Sequence, residues 1–165
     1  MNEAGIQTSH ATGNADVLIV LTAVRSSMSR YTVLIGDDTD LLVLLCYHES
    51  AMSFPIYFQP HREAVSWDIH KLQGHFGADV CQNILFIHAI LGCDTTSKLP
   101  GYGKGVGLKL FEKSEPFLRA ASVFNLSPEN VSTADIFESG EQLLVSLLQR
   151  GAWTNTEHCE VSIVH

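Results

Sequence analysis

Three aspartates stand where their spacing could serve a hard cation. Asp38 and Asp40 lie in Ile35-Gly-Asp-Asp-Thr-Asp-Leu-Leu-Val-Leu-Leu45, and Asp94 lies in Leu91-Gly-Cys-Asp-Thr-Thr-Ser-Lys-Leu-Pro-Gly-Tyr-Gly-Lys-Gly-Val-Gly-Leu-Lys-Leu110. The first segment reads as a strand ending in an acidic turn, and open α/β sheets put their ligand sites at that end of a strand. Carboxylates that reach one sheet edge from separate elements suit Mg²⁺ or Mn²⁺, which take oxygen ligands and water rather than Cys or His. Each acid also has a purely structural use. Asp37, Asp38 and Asp40 could form a solvated turn or cap the next element, and Asp94 could cap a hairpin.

The glycines after Asp94 form a second pattern that could do chemistry. Gly101-Tyr-Gly-Lys-Gly-Val-Gly107 is not a P-loop, because Lys104 is followed by Gly105 rather than Ser or Thr. No strand leads into it, so a dinucleotide fingerprint fails as well. A helix–hairpin–helix fits: Leu99-Pro100-Gly101 turns the chain, and Gly103 to Gly107 lets backbone approach a phosphate. Amides at the start of the following helix would face the anion, with Lys104 beside it. The alternative is a glycine-rich helical turn that packs closely and binds nothing.

The elements that must carry these residues follow from periodicity and capping. Asn14 to Ser27 has helical composition, with Val17, Leu18, Leu21 and Val24 expected on its inner face and Asn14 as N-cap. Tyr31–Ile35 reads as a buried strand and Phe54–Phe58 as another. Asp40–Tyr47 is a short apolar element that fits helix or strand. Asp68 opens a helix to Phe76, and Gly77 breaks it. A second helix, Ala78–Leu91, places Val80, Ile84, Ile87 and Leu91 on one face before Gly92. Val106–Lys113, Glu115–Phe124 and Glu141–Arg150 are expected helical, with another turn of helix opening at Ser127-Pro128-Glu129. The order predicts an α/β first half and a helical second half.

Composition bounds the rest. At 165 residues, 45% hydrophobic and 17% charged, the chain is expected to fold as one domain with a real core. Within it, 1–12 is a loose tail, 13–94 an acidic α/β core, 95–150 the hairpin and helical region, and 151–165 an unassigned tail. The longest apolar runs fall well short of the roughly 20 residues that a bilayer requires, so no membrane segment is expected. The N-terminus has neither a basic nor an apolar leader region. The four cysteines show no CxxC spacing and read as buried free thiols of an intracellular protein. The eight histidines show no zinc spacing, and His88 reads as a core residue. A net charge of −8 has the wrong sign for tight, nonspecific nucleic-acid binding. A cation held by the acids would offset part of it.

Taken in order, Asp37-Asp-Thr-Asp-Leu-Leu, Leu91-Gly-Cys-Asp-Thr and Leu99-Pro-Gly-Tyr-Gly-Lys-Gly-Val-Gly-Leu-Lys-Leu resemble the internal region of the flap-endonuclease/XPG-type nucleases, from about Asn14 to Lys113. The Gly-Cys-Asp-Thr-Thr-Ser string also resembles invertebrate proteins associated with transposons. The nuclease resemblance implies an incomplete PIN-like parallel sheet with helices, followed by a helical half that contains the helix–hairpin–helix. It implies Asp38, Asp40 and Asp94 as catalytic metal ligands and Asp16 as a further ligand, direct or through water. It implies Gly101, Gly103, Lys104 and Gly105 as a nucleic-acid backbone clamp. Mg²⁺ or Mn²⁺ is the implied cofactor, DNA rather than RNA the implied partner, and the nucleus the implied location. The chain departs from that family at Asn14, which stands where its first helical acid belongs. It also lacks a counterpart to the family's first strand and to its basic, aromatic arch.

The implied function is a metal-dependent, structure-specific nuclease-like domain acting on DNA phosphodiesters. A catalytically inactive PIN-like interaction domain is the main alternative, and a small-molecule phosphatase using the same acids is a second.

Overall fold

The computed structural model describes residues 6, 8–50, 52–62, 65–93, 108, 109, 111 and 113–160, with side chains to 148. The protein is mixed α/β, with a small three-stranded sheet and a larger helical part. Backbone packing divides it into two compact units, 1–75 and 76–165.

The first unit is a β-α-β core. Helix α1 (Ala15–Ser27) begins at Asn14, whose side-chain carbonyl accepts the amides of Asp16 at 2.8 Å and Val17 at 3.2 Å. Strand β1 (Thr32–Ile35) leads into helix α2 (Thr39–His48), and strand β2 (Ile56–Gln59) returns parallel to β1 in the register Thr32 to Ile56 through Ile35 to Gln59. The apolar stretch that fitted helix or strand is therefore α2. Strand β3 (Trp67–Asp68) adds antiparallel to β2, so the sheet is mixed rather than wholly parallel. Its two residues are too short to leave a pattern in the sequence. Helix α3 (Ile69–Phe76) follows at once, and Asp68 starts it as expected, its carboxylate accepting the Lys71 amide at 3.2 Å.

Val20, Leu34, Leu41, Leu45, Cys46, Ile56, Phe58 and Ile69 form the core of this unit. The buried stripe of α1 differs from the one expected. Val20, Ala23 and Ser27 face inward, while Val17 is exposed. Val17–Val24 is apolar on nearly every side, so periodicity could not choose the face.

In the second unit, helix α4 (Ala78–Ile90) buries Val80, Ile84 and Ile87 on the expected face, with Leu91 buried just beyond. Gly77 (φ 84°) precedes it and Gly92 (φ 95°) follows, both in the left-handed region that glycine occupies without strain. Helix α5 (Glu115–Ser122), a short 3₁₀ turn (Val123–Asn125) and the long helix α6 (Thr133–Glu160) complete the described fold. Leu108, Lys109, Phe111 and Lys113 are helical, as expected for Val106–Lys113. Phe111 is fully buried among Val80, Ile87, Leu91, Phe117 and Leu147. Ser127–Asn130 is a turn, not the start of a helix, with the Asn130 amide donating to the Ser127 carbonyl at 2.8 Å. Helix α6 starts instead at a capping box. The Ser132 hydroxyl accepts the Asp135 amide at 3.1 Å, and the Asp135 carboxylate accepts the Ser132 amide at 3.0 Å.

Cys46 and Cys81 are buried, and Cys93 is half-buried. Among the described residues no helix is long and apolar enough to cross a membrane.

Candidate functional site

The C-terminal end of the parallel β1–β2 pair gathers the acids. Gly36 leaves β1 with its amide donating to the Gln59 carbonyl at 3.1 Å, the last rung of the ladder. A Cβ at Gly36 would come within 2.7 Å of Leu41 Cδ1, so the missing side chain lets the first turn of α2 sit close over the strand end. The next residues are Asp37, Asp38 and, inside α2, Asp40.

Each acid has a defined place there. Asp37 Oδ1 accepts the His61 amide at 2.7 Å and so ties the loop after β2 to the end of β1. Asp38 is the N-cap of α2, its Oδ1 accepting the Asp40 amide at 2.9 Å. This bond sets Asp38 and Asp40 two residues apart at the head of α2. Asp16 stands in the first turn of α1. The far end of that helix is fixed by the Ser27 carbonyl, which accepts the Phe54 amide at 2.8 Å ahead of β2. Helices α1 and α2 therefore both begin at the acidic end of the strands, where their dipoles favour negative charge.

Beside the acids a cleft of about 590 Å³ opens, lined by Asp37, Thr39, Arg62 and Trp67 over Leu42 and Phe58. Arg62 and Trp67 escaped sequence reasoning because they are scattered singly in a loop and a two-residue strand. The usable signal was position: each flanks the C-terminal end of a strand already inferred. Together they offer a fixed cation and a half-exposed aromatic face next to carboxylates.

Among the described residues no three His, Cys, Asp or Glu side chains stand together as a ready metal cluster. Asp94, Gly101, Gly103, Lys104 and Gly105 lie outside the described residues.

A different carboxylate in this unit is unusual for its burial. Glu49, at the end of α2, has a side chain sealed from water and accepts the Ile56 amide at 3.2 Å. Burial pushes its pKa from an ordinary 4.5 up to about 7, against the opposing pull of His70 and of the Ile56 amide. It lies at the opposite end of the strands from the acids and belongs to the fold rather than to the site.

Comparison with protein-family models, curated proteins and solved structures returns no match to this chain.

Proposed function

We propose that this chain is a divalent-metal-dependent nuclease-like domain of PIN-like type acting on DNA phosphodiesters. The observation that carries the reading is the placement of Asp37, Asp38 and Asp40 at the C-terminal end of a parallel strand pair, beside a cleft shared by Arg62 and Trp67. The ordered motifs that resemble flap-type nucleases, which include these same acids, support it as well.

In this reading Asp38 and Asp40 hold the cation, with Asp16 and Asp94 as further ligands. The bound ion would polarise a phosphoryl oxygen and lower the pKa of an attacking water. Asp37 holds the loop after β2 in place, so that Arg62 can neutralise a phosphate and Trp67 can stack against a base. The Gly101–Gly107 segment would grip a duplex backbone.

The test is cleavage of end-labelled single-stranded and flap DNA by the full chain in Mn²⁺. Cleavage that stops in EDTA, is lost in Asp40→Asn and falls in Arg62→Ala is the expected result. The capping bond of Asp38 and the net charge of −8 favour a second reading, a noncatalytic interaction domain that keeps the fold. Metal binding by the wild type without any cleavage would select it.

A further inference from the structure

Among the described residues strand β1 is an edge of the sheet, since the strand order is β1-β2-β3. Its outward side chains are apolar and open to water: Tyr31 is 67% exposed, Val33 55% and Ile35 61%. The Thr32 amide donates to the Pro55 carbonyl and the Gly36 amide to the Gln59 carbonyl. Along a strand the polar groups alternate sides, so Thr32, Leu34 and Gly36 address β2, while Val33 and Ile35 address the open edge. Natural edges are blunted by lysine, proline or a bulge. From Tyr31 to Gly36 this one has no charge and no proline.

The charges lie at its two ends and differ in sign. Arg30 precedes the strand, and Asp37 and Asp38 follow it. Parallel pairing of two such strands sets like charges together. Antiparallel pairing sets each arginine against the other copy's acids.

We propose that β1 pairs antiparallel with β1 of a second copy of this chain, about a two-fold axis through Leu34. In that register Val33 lies opposite Ile35 of the partner subunit. Both residues present their N–H and C=O groups to the open edge, so each pair exchanges two hydrogen bonds. Arg30 falls beside Asp38 of the partner subunit, and the symmetry repeats the pair at the other end. Sliding by two residues loses this match, putting Arg30 opposite either Gly36 or Asp40 inside α2. Tyr31, Val33 and Ile35 of both copies then form one apolar band along the joined sheet, where cross-strand contacts stabilise it.

Sedimentation velocity on the full chain, over a range of concentrations at low salt, tests the proposal. The wild type forms a dimer. Val33→Lys gives a folded monomer, and Arg30→Glu raises the dissociation constant about tenfold by opposing like charges at two symmetric places. Both positions are exposed, and circular dichroism confirms that the variants fold. Hydrogen exchange supplies a second readout: the Val33 and Ile35 amides become protected as concentration rises, while the Leu34 amide is protected throughout. A monomer at every concentration with Val33 and Ile35 amides in free exchange overturns the proposal. So does a dimer that neither substitution weakens, which would place the interface elsewhere.

Discussion

Glu49 Oε1 meets His70 Nε2 at 3.1 Å, in a contact that joins the end of α2 to the start of α3. The same imidazole nitrogen lies 3.3 Å from the Ser50 carbonyl, and the second oxygen of the carboxyl, Oε2, is buried without a hydrogen-bond partner. A buried carboxyl with one unpartnered oxygen holds its proton more tightly than a solvated one.

The pH dependence of stability follows in sign from that proton. The native Glu49 pKa, about 7, lies above the ordinary 4.5, so between these values the folded chain binds more protons than the unfolded one. The Glu49 contribution is fully present below the lower value and is lost as pH rises toward the upper one. The loss is on the order of 3–4 kcal/mol at about 1.4 kcal/mol per pKa unit. Glu49→Gln keeps an acceptor for the Ile56 amide and should flatten the curve in this window. Urea unfolding at pH 5, 6 and 8 measures it, and equal slopes in both proteins would discount the buried carboxyl.

Asp38 caps α2 and, in the proposed reading, also holds the cation, and substitution can separate the two. Asparagine caps a helix as well as aspartate does, so Asp38→Asn should leave stability nearly unchanged while weakening metal binding. Asp38→Ala should lose both, destabilising the fold by about 1 kcal/mol. Denaturant midpoints read the first effect and Mn²⁺ titration the second.

Much of this unit was legible because its signals are local. Asn14 and Asp68 are capping residues whose hydrogen bonds reach only two or three positions along the chain. The acidic end of β1 was legible for the same reason, as a short apolar strand meeting charge. The identity of α2 was not, because an all-apolar run has no period, and only the Asp38 cap and packing against α1 decide it. Arg62 and Trp67 reach the cleft through the pairing of β2 with β3, a long-range event that composition does not encode. Helix α6 was expected only from Glu141 and begins eight residues earlier, at Thr133, where the Ser132–Asp135 box caps a stretch with little apolar periodicity.

Phe111 should prove the anchor of the second unit. It is fully buried, with its ring centroid 5.6 Å from that of Phe117. Phe111→Ala should cost about 3–5 kcal/mol, as aromatic truncations in packed cores do. Because the residue closely follows the glycine segment in sequence, duplex binding should fall with it, whereas Phe137→Ala, at an exposed position, should change neither.

The Gly101–Gly107 segment carries a separate prediction for DNA binding. Gly103→Val should weaken duplex binding and leave the metal response intact. Lys104→Ala should reduce the salt dependence by about one counterion. Fluorescence anisotropy across a salt series distinguishes these effects, and identical slopes for Lys104→Ala and wild type would remove the lysine from the interface.

The central claim is that the acids at the head of α2 hold a divalent cation. Thermal unfolding with and without millimolar Mn²⁺, in wild type and in Asp40→Asn, tests it most directly. At about a hundredfold excess over the dissociation constant, a bound ion stabilises by about 2.7 kcal/mol, or roughly 5–10 °C in a chain of this size. The wild type should show a rise of that order and Asp40→Asn a markedly smaller one; an equal rise in both, or none in either, would contradict the site.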